Sequence, residues 1–304
     1  MAETQAEKII SAKGLQKSFG DFKAVRGIDF EIESGTCVGL LGPNGAGKTT
    51  TMRMLMGLSG VSGGELSVLG KKPEDLNREE KSRIGLVPQM DNLDTDVSVT
   101  ENLEIYGRFY GVEWEELNKR VPQLLKFMQL SDKAHARVNQ LSGGMKRRLV
   151  IARALISNPE IVYLDEPTTG LDPQVRVLIW KQILSLKSQG KTLLLTTHYM
   201  DEAQRLCDRI IIIDEGKVLD DDTPKNLIKK HVSTHVVEVP KAELSTFKTY
   251  DAEREDIGDA VLLYVDKIEP YVAQIKNHPG VFYRPANLED VFLRLTGRSL
   301  REGA

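Results

Sequence analysis

Four short apolar runs organise the chain: Cys37-Val38-Gly39-Leu40-Leu41, Ile161-Val162-Tyr163-Leu164, Leu193-Leu194-Leu195 and Ile210-Ile211-Ile212-Ile213. They are continuous rather than alternating, the pattern of strands buried on both faces of a parallel sheet. Between them the apolar period lengthens. Asn102 to Phe127 reads as largely helical, with Leu124, Leu125 and Met128 supplying apolar contacts, and Ser142 to Ile156 as a helix stopped by Asn158-Pro159. A helical insertion from about 90 to 158 inside an α/β core is therefore expected. Beyond Thr223-Pro224 the texture changes. Val236-Val237-Glu238-Val239, Val261 to Val265 and Val281-Phe282-Tyr283 read as short strands, and Ile268 to Ile275 as a helix. The last helix carries Leu288, Val291, Phe292 and Leu295 on one face, with Asn287 as N-cap and Glu289 and Asp290 in its first turn. The expected division is an α/β domain over 1–228 and a small α+β accessory domain over 229–304.

Length and charge narrow the function classes. The 304 residues fit about two domains at roughly 100–200 residues each. Lys+Arg 41 against Asp+Glu 44 leaves a net charge of -3, so no global basic field recruits nucleic acid. The polar start, Met1 to Lys8, lacks the basic head and apolar block of a secretory signal, so a cytoplasmic protein is expected. No segment approaches the roughly 18 uninterrupted apolar residues of a spanning helix. Cys37 and Cys207 form no ligand cluster and read as buried reduced thiols, and Asp220-Asp221-Asp222 as a solvated turn.

The strongest chemical signal is Gly42-Pro43-Asn44-Gly45-Ala46-Gly47-Lys48-Thr49, a GxxxxGK[ST] loop after a buried strand and before a helix-competent stretch. Its glycines let backbone N–H groups turn inward around phosphates, and the following helix N-terminus adds partial positive charge. Lys48 would reach the terminal phosphates and Thr49 would offer its hydroxyl to Mg²⁺. The cradle for ATP is taken as Asn44, Gly45, Ala46, Gly47, Lys48, Thr49 and Thr50. The run Ile161 to Leu164 ends in Asp165-Glu166, two carboxylates at the carboxyl end of a buried strand. Asp165 would hold Mg²⁺ through its water shell, and Glu166 would orient and deprotonate the attacking water.

Leu141-Ser142-Gly143-Gly144-Met145 resembles the signature sequence of ABC ATPases, a family with a P-loop NTPase core, and the likeness covers roughly the first two-thirds of the chain. Met145 departs from the commoner LSGGQ. The resemblance implies that Gln89, Asp172 and His198 are the Q-loop, D-loop and switch residues: Gln89 would sense Mg²⁺ and the attacking water, and His198 would contact the γ-phosphate. It also implies that Phe19 stacks on adenine. Ser142, Gly143 and Gly144 would bind the ATP held by a second nucleotide domain. Locally, Ser142-Gly143-Gly144 opens a helix whose free N–H groups suit an anion. Lys146, Arg147 and Arg148 put cations near the wrong helix end, a penalty that a polyphosphate would offset, and at least one of them is expected to face solvent.

One phosphate loop and one signature per chain imply a homodimer, or a pair with a related ATPase subunit, closed by two ATP. The retained Glu166 and His198 argue against a non-hydrolysing regulator. Soluble translation- or repair-type relatives normally carry two nucleotide domains or a long coiled-coil insertion, and this sequence has neither; such an ATPase acting on a macromolecular complex stays the alternative. Arg284-Pro285-Ala286-Asn287-Leu288-Glu289-Asp290-Val291-Phe292-Leu293-Arg294-Leu295-Thr296-Gly297-Arg298 resembles the closing sequence of drug, polysaccharide and lipid-linked exporter ATPases. Together with Gly85 to Asp94 it is particularly similar to nodulation-factor export ATPases. That resemblance implies an ATPase peripheral to the cytoplasmic face of the cell membrane and a separate membrane permease, docked near Asp91, Asn92, Leu93 and Tyr106 to Tyr110.

Overall fold

In the computed structural model, which describes residues 7–297, the chain opens with two long strands, β1 (Lys8–Phe19) and β2 (Phe22–Glu33). Ile28, Phe30 and Ile32 alternate with Asp29, Glu31 and Glu33, so one face of β2 enters the core and the other meets water. After β3 (Cys37–Leu41) and α1 (Lys48–Leu55), β4 (Gly63–Val68) pairs with β1 to complete an antiparallel β2-β1-β4 sheet. The run-based reading does not contain this sheet, because its half-exposed strands interrupt every apolar run with charges.

The larger sheet follows the expected runs. Its further elements are α2 (Arg78–Ser82), β5 (Ile84–Val87), α3 (Val99–Phe109), α4 (Trp114–Phe127), α5 (Gly143–Ala154), β6 (Ile161–Asp165), α6 (Pro173–Ser188), β7 (Thr192–Thr197), α7 (Met200–Leu206), β8 (Arg209–Asp214) and β9 (Lys217–Asp222). The order is β5-β6-β7-β3-β8-β9, parallel from β5 to β8. Every residue of β3, β6 and β7 is buried. One apolar cluster joins the two sheets and α1: Ile10, Leu15 and Phe30 pack with Met52, Leu55, Tyr163, Leu194 and Ile211.

The stretch from Asn102 to Phe127 is two helices rather than one. Gly111, at φ 82°, turns the chain between α3 and α4. Gly107 lets them cross closely, since a Cβ there would fall 2.3 Å from Leu117 Cδ2. The acidic run is likewise more structured than expected: Asp221 takes a two-pronged ion pair from Arg209. Cys37 and Cys207 are free and buried, and burial pushes the Cys207 thiol up, helped by Cys37 beside it.

The chain divides into compact units between Asp221 and Asp222, so the expected break after residue 228 falls inside a helix. The second unit contains α8 (Pro224–His231), β10 (His235–Pro240), β11 (Glu253–Asp256), β12 (Ala260–Val265), α9 (Glu269–Asn277), β13 (Phe282–Pro285) and α10 (Leu288–Thr296). Helix α8 belongs here because it packs on α10. The sheet order is β11-β12-β10-β13, all antiparallel, over a separate core of Val237, Val239, Phe247, Leu263, Val265 and Tyr271. Strand β11, Glu-Arg-Glu-Asp, has no apolar signal to betray it. The opening residues 1–6 of the polar start and Arg298 of the closing sequence lie outside the described residues. Among the described residues no helix is long and apolar enough to cross a membrane.

Asn287 caps α10 as expected: its Oδ1 accepts from Glu289 N at 2.8 Å and Asp290 N at 3.3 Å, and Asp290 Oδ2 accepts from Asn287 N at 2.8 Å. Asn287→Ala should lower the stability of the second unit by about 1 kcal/mol. A urea titration should show an earlier midpoint at unchanged slope; an unmoved midpoint would mean that the cap is redundant.

Candidate functional site

The site begins where β3 ends. Residues 42–47 form the loop, and α1 starts at Lys48. Gly47 sits at φ 104°, and a Cβ there would fall 2.7 Å from Ala24 O, so both its conformation and its space require glycine. Lys48 is only 4% exposed. Its Nζ donates to Gly42 O at 2.7 Å and Pro43 O at 3.0 Å, wrapping the loop around the ammonium. Burial lowers the Lys48 pKa from its ordinary value, while the carboxylates of Glu166 and Asp165 oppose that shift.

Glu166 gathers the other candidates. Lys48 Nζ lies 3.7 Å and His198 Nδ1 3.4 Å from its Oε1. On Oε2, Thr169 donates at 3.0 Å and Gln89 Nε2 at 3.4 Å. Burial by itself raises the Glu166 pKa, but His198, Lys48 and Thr169 outweigh it and hold the carboxyl below its ordinary range. Glu166 also adopts φ 46°, a left-handed conformation that costs a non-glycine residue roughly 1–3 kcal/mol. Its amide pays nothing further, since it donates to Thr196 O at 3.1 Å and Thr196 Oγ1 at 3.0 Å.

Asp165 sits beside this group, accepting from Thr196 Oγ1 at 2.5 Å. Burial raises its pKa, and the Thr196 hydrogen bond and the Lys48 charge work against that. The donor set fits a hard cation: a buried carboxylate at a strand end and the exposed Thr49 hydroxyl on the first turn of α1. Among the described residues no three His, Cys, Asp or Glu side chains cluster as a metal cage, so an ion there would complete its shell with phosphate and water oxygens.

The remaining candidates lie in two other places. Ser142 is the N-cap of α5, accepting from Met145 N at 3.3 Å, and Gly143 borders open space. Asp172 is the N-cap of α6, accepting from Gln174 N and Val175 N at 3.1 and 3.0 Å. Gly144 faces Val175, so a Cβ at 144 would come within 2.9 Å of it. Phe19 stands at the β1–β2 hairpin tip, 55% exposed, with Lys17 Nζ 5.0 Å from its ring and Phe22 opposite it. Asn44 and Gly45 are exposed, Ala46 is buried and Thr50 half-buried.

The cations near the start of α5 differ from the expectation. Arg147 and Arg148 are 5% and 8% exposed and Lys146 is half-buried, so none of the three is simply solvated, and no polyphosphate is needed to compensate the two arginines. Lys146 is already the fourth residue of α5, and the dipole fades beyond the first turn. Arg148 donates to the carbonyls of Met128 and Gln129. Arg147 donates to Pro88, Gln89, Asp165, Glu166 and Pro167 carbonyls and lies 3.6 Å from Asp91. Its inward aim has a signal in the sequence: Arg147 shares a helical stripe with Val150, Ile151 and Ala154 at i+3, i+4 and i+7, all buried. Arg153, also buried, stacks on Tyr106 at 4.0 Å and donates to Asn92 O at 2.8 Å.

A glycine loop wrapped on a lysine, leading a helix and facing two carboxylates at the end of a parallel strand one place removed in the same sheet, defines a P-loop nucleoside triphosphatase. Two family models match the sequence: ABC transporter over residues 25–169, and the C-terminal domain of nodulation factor export protein NodI over residues 240–297. The chain is similar to the Nod factor export ATP-binding protein I of Cupriavidus metallidurans, with 48% identity over 97% of this chain and 99% of the relative. The protein of the same name from Cupriavidus pinatubonensis is 47% identical over 97% of this chain and 92% of its own. Among solved structures, an ATP-binding subunit of an ABC transporter aligns with a TM-score of 0.67 at 27% identity, covering 73% of this chain and 92% of that one. A dimeric ATP-binding cassette in a post-hydrolysis state, bound to ADP and Pi, aligns at 0.64 and 31% identity, covering 70% and 98%. The chain belongs to the ABC transporter ATPases, in the family of Nod factor export ATP-binding proteins I.

Lys48→Ala, which removes the loop's buried cation, should weaken ATP binding by about tenfold or more in equilibrium titration. Undiminished affinity would remove Lys48 from the nucleotide site.

Proposed function

We propose that this ATPase is the engine of an exporter whose membrane pore lies on another chain, and that two copies, or one copy and a related subunit, close on two ATP and reopen after hydrolysis. The observation that carries the reading is the convergence of Lys48, Gln89 and His198 on the Glu166 carboxylate, together with similarity to Nod factor export ATP-binding proteins along nearly the whole chain.

In this reading Glu166 accepts the proton of the attacking water while Gln89 holds that water in line, and His198 donates to the γ-phosphate. The ionised state of Glu166 at neutral pH supports the role, because a base must be free of its proton before attack. Lys48 exchanges its loop carbonyl partners for the terminal phosphates. Loop amides from Asn44 to Thr50 cradle the rest, and Phe19 offers a face to adenine. Thr49, Asp165 and Gln89 would hold Mg²⁺, which would supply charge neutralisation at the phosphates. Ser142, Gly143 and Gly144 present helix N–H groups to the partner's ATP, with Asp172 beside them. The cassette's structural likeness to a dimeric relative supports the two-copy arrangement.

For the permease, a shallow groove of about 400 Å³ on the helical segment is the favoured seat, lined by Val97, Glu101, Ile105, Arg108, Phe109 and Trp114. Phe109 is 68% and Trp114 52% exposed, an apolar surface that a membrane subunit's cytoplasmic segment would cover. Arg153 ties the 89–94 loop to the back of α3 through Tyr106, so pressure on the groove reaches Gln89. The protein then sits peripherally on the cytoplasmic face of the cell membrane, and the name of the relatives makes Nod factors the first cargo to test.

Two measurements check this. Glu166→Gln should bind ATP with near-native affinity, lose turnover by about 100-fold or more and accumulate as a dimer in size-exclusion chromatography with ATP; native turnover would remove Glu166 as the base. Affinity capture of the full chain from detergent-solubilised membranes should recover a polytopic membrane protein, and Phe109→Asp should abolish that recovery. Recovery of only ribosomes or DNA would replace the exporter with the soluble class.

A further inference from the structure

Arg147 is a buried cation that the reaction as usually divided among loop, base and switch residues does not use. It is 5% exposed, and the nearest carboxylate oxygen, from Asp91, is 3.6 Å away, too long for a tight ion pair. What the guanidinium does have is carbonyls. Nε donates to Pro167 O at 2.8 Å; Nη1 donates to Pro88 O at 2.5 Å and Gln89 O at 3.3 Å; Nη2 donates to Asp165 O and Glu166 O, both at 3.0 Å. All the donors of a planar fork are thereby engaged.

These acceptors are not a random set. Strands β5 and β6 are paired neighbours whose ladder stops at Val87 opposite Leu164, while β6 still pairs Asp165 with Thr196 of β7 on its other side. Pro88, Gln89, Asp165, Glu166 and Pro167 are the residues that immediately follow, where β5 and β6 no longer pair with each other. Arg147 replaces the missing ladder with one rigid plane. That plane spans the backbone beneath Gln89 and beneath Glu166, whose side chains meet at 3.4 Å on the other side. The same arginine is on α5, whose N-cap is Ser142.

We propose that Arg147 is a positioning residue for ATP hydrolysis: it holds the backbones of Gln89 and Glu166 in one frame and fastens that frame to the helix that begins with Ser142. A shift of α5 is then felt directly at the pair that handles the attacking water. The glutamate's left-handed φ of 46° is maintained partly by this bond to its carbonyl. The inference rests on the assignment of hydrolysis to Glu166 and Gln89.

The test uses the full chain, with steady-state ATP hydrolysis, ATP binding and thermal melting measured together. Arg147→Met should lower kcat by about 10- to 100-fold, the penalty of roughly ångström-scale misplacement, while KM and the ATP dissociation constant stay within about threefold. Arg147→Lys keeps the charge but has no planar fork, so it should recover only part of kcat at a native melting temperature; it carries the test where Arg147→Met melts early. Combining Arg147→Met with Gln89→Ala should cost no more than the worse single change, because both act through one unit. Native kcat in Arg147→Lys and Arg147→Met, or costs that multiply in the double variant, would overturn the proposal while leaving Glu166 in place. Native turnover in Glu166→Gln would remove the reading beneath it instead.

Discussion

A buried carboxylate and a buried ammonium must be kept charged 3.7 Å apart, and the first unit is arranged to satisfy that demand at Glu166 and Lys48. Either group alone would be costly: stripping one partner from such a pair typically costs about 3–5 kcal/mol. The fold meets the requirement by strand order. Strands β6, β7 and β3 are consecutive neighbours in the sheet, so their carboxyl ends bring Asp165 and Glu166, then Thr196 and His198, then the glycine loop side by side. The middle strand matters most. The Thr196 hydroxyl accepts from the Glu166 backbone N–H and donates to the Asp165 carboxylate, so one side chain fixes the backbone of one acidic residue and the carboxylate of the other.

That arrangement explains which parts of the molecule the sequence displays openly. The runs at β3, β6, β7 and β8 are legible because a strand covered on both faces needs apolar residues without interruption. Asp165 and Glu166 are legible because they follow such a run directly, and Lys48 because a glycine loop of fixed spacing joins it to one. The antiparallel sheet is not, since its strands meet water on one face and break their own pattern with charge. Strand β11 pairs with β12 through its backbone and through a Tyr264 hydroxyl that donates to Glu255, and Glu253 to Asp256 carry no apolar residue to mark it. The split between α3 and α4 was visible in Gly111, but helical periodicity on both sides outweighed one glycine.

Arg147 and Arg148 depart from expectation for a different reason. The dipole and solvent do not decide where these charges near a helix start go; backbone carbonyls do. Carbonyls carry no sequence identity, so a cation bound to five of them leaves no complementary acid to search for. The available clue was positional: a residue in register with Val150, Ile151 and Ala154 points where they point. The opposite error threatens at Asp172. As the N-cap of α6 it already has a complete structural task, and its geometry alone would never single it out as a nucleotide residue.

Helix α5 joins these themes because its two ends live in different solvents. Ser142 and Gly143 are exposed, and beyond Lys146 every residue to Ala154 is buried. A helix clamped over most of its length cannot adapt its first turn to a ligand by bending. Its exposed N–H groups must instead be offered as a rigid edge, aimed by the packed remainder. The same rigidity works in reverse: force applied at that edge cannot be absorbed within α5, so it passes to whatever holds the helix. Through Arg147 that is the backbone of Gln89 and Glu166, and through Arg153 it is the 89–94 loop. In this near-neutral chain Arg147, Arg148 and Arg153 are buried, and each serves as a strut to backbone carbonyls of another segment rather than as part of a field seen from outside.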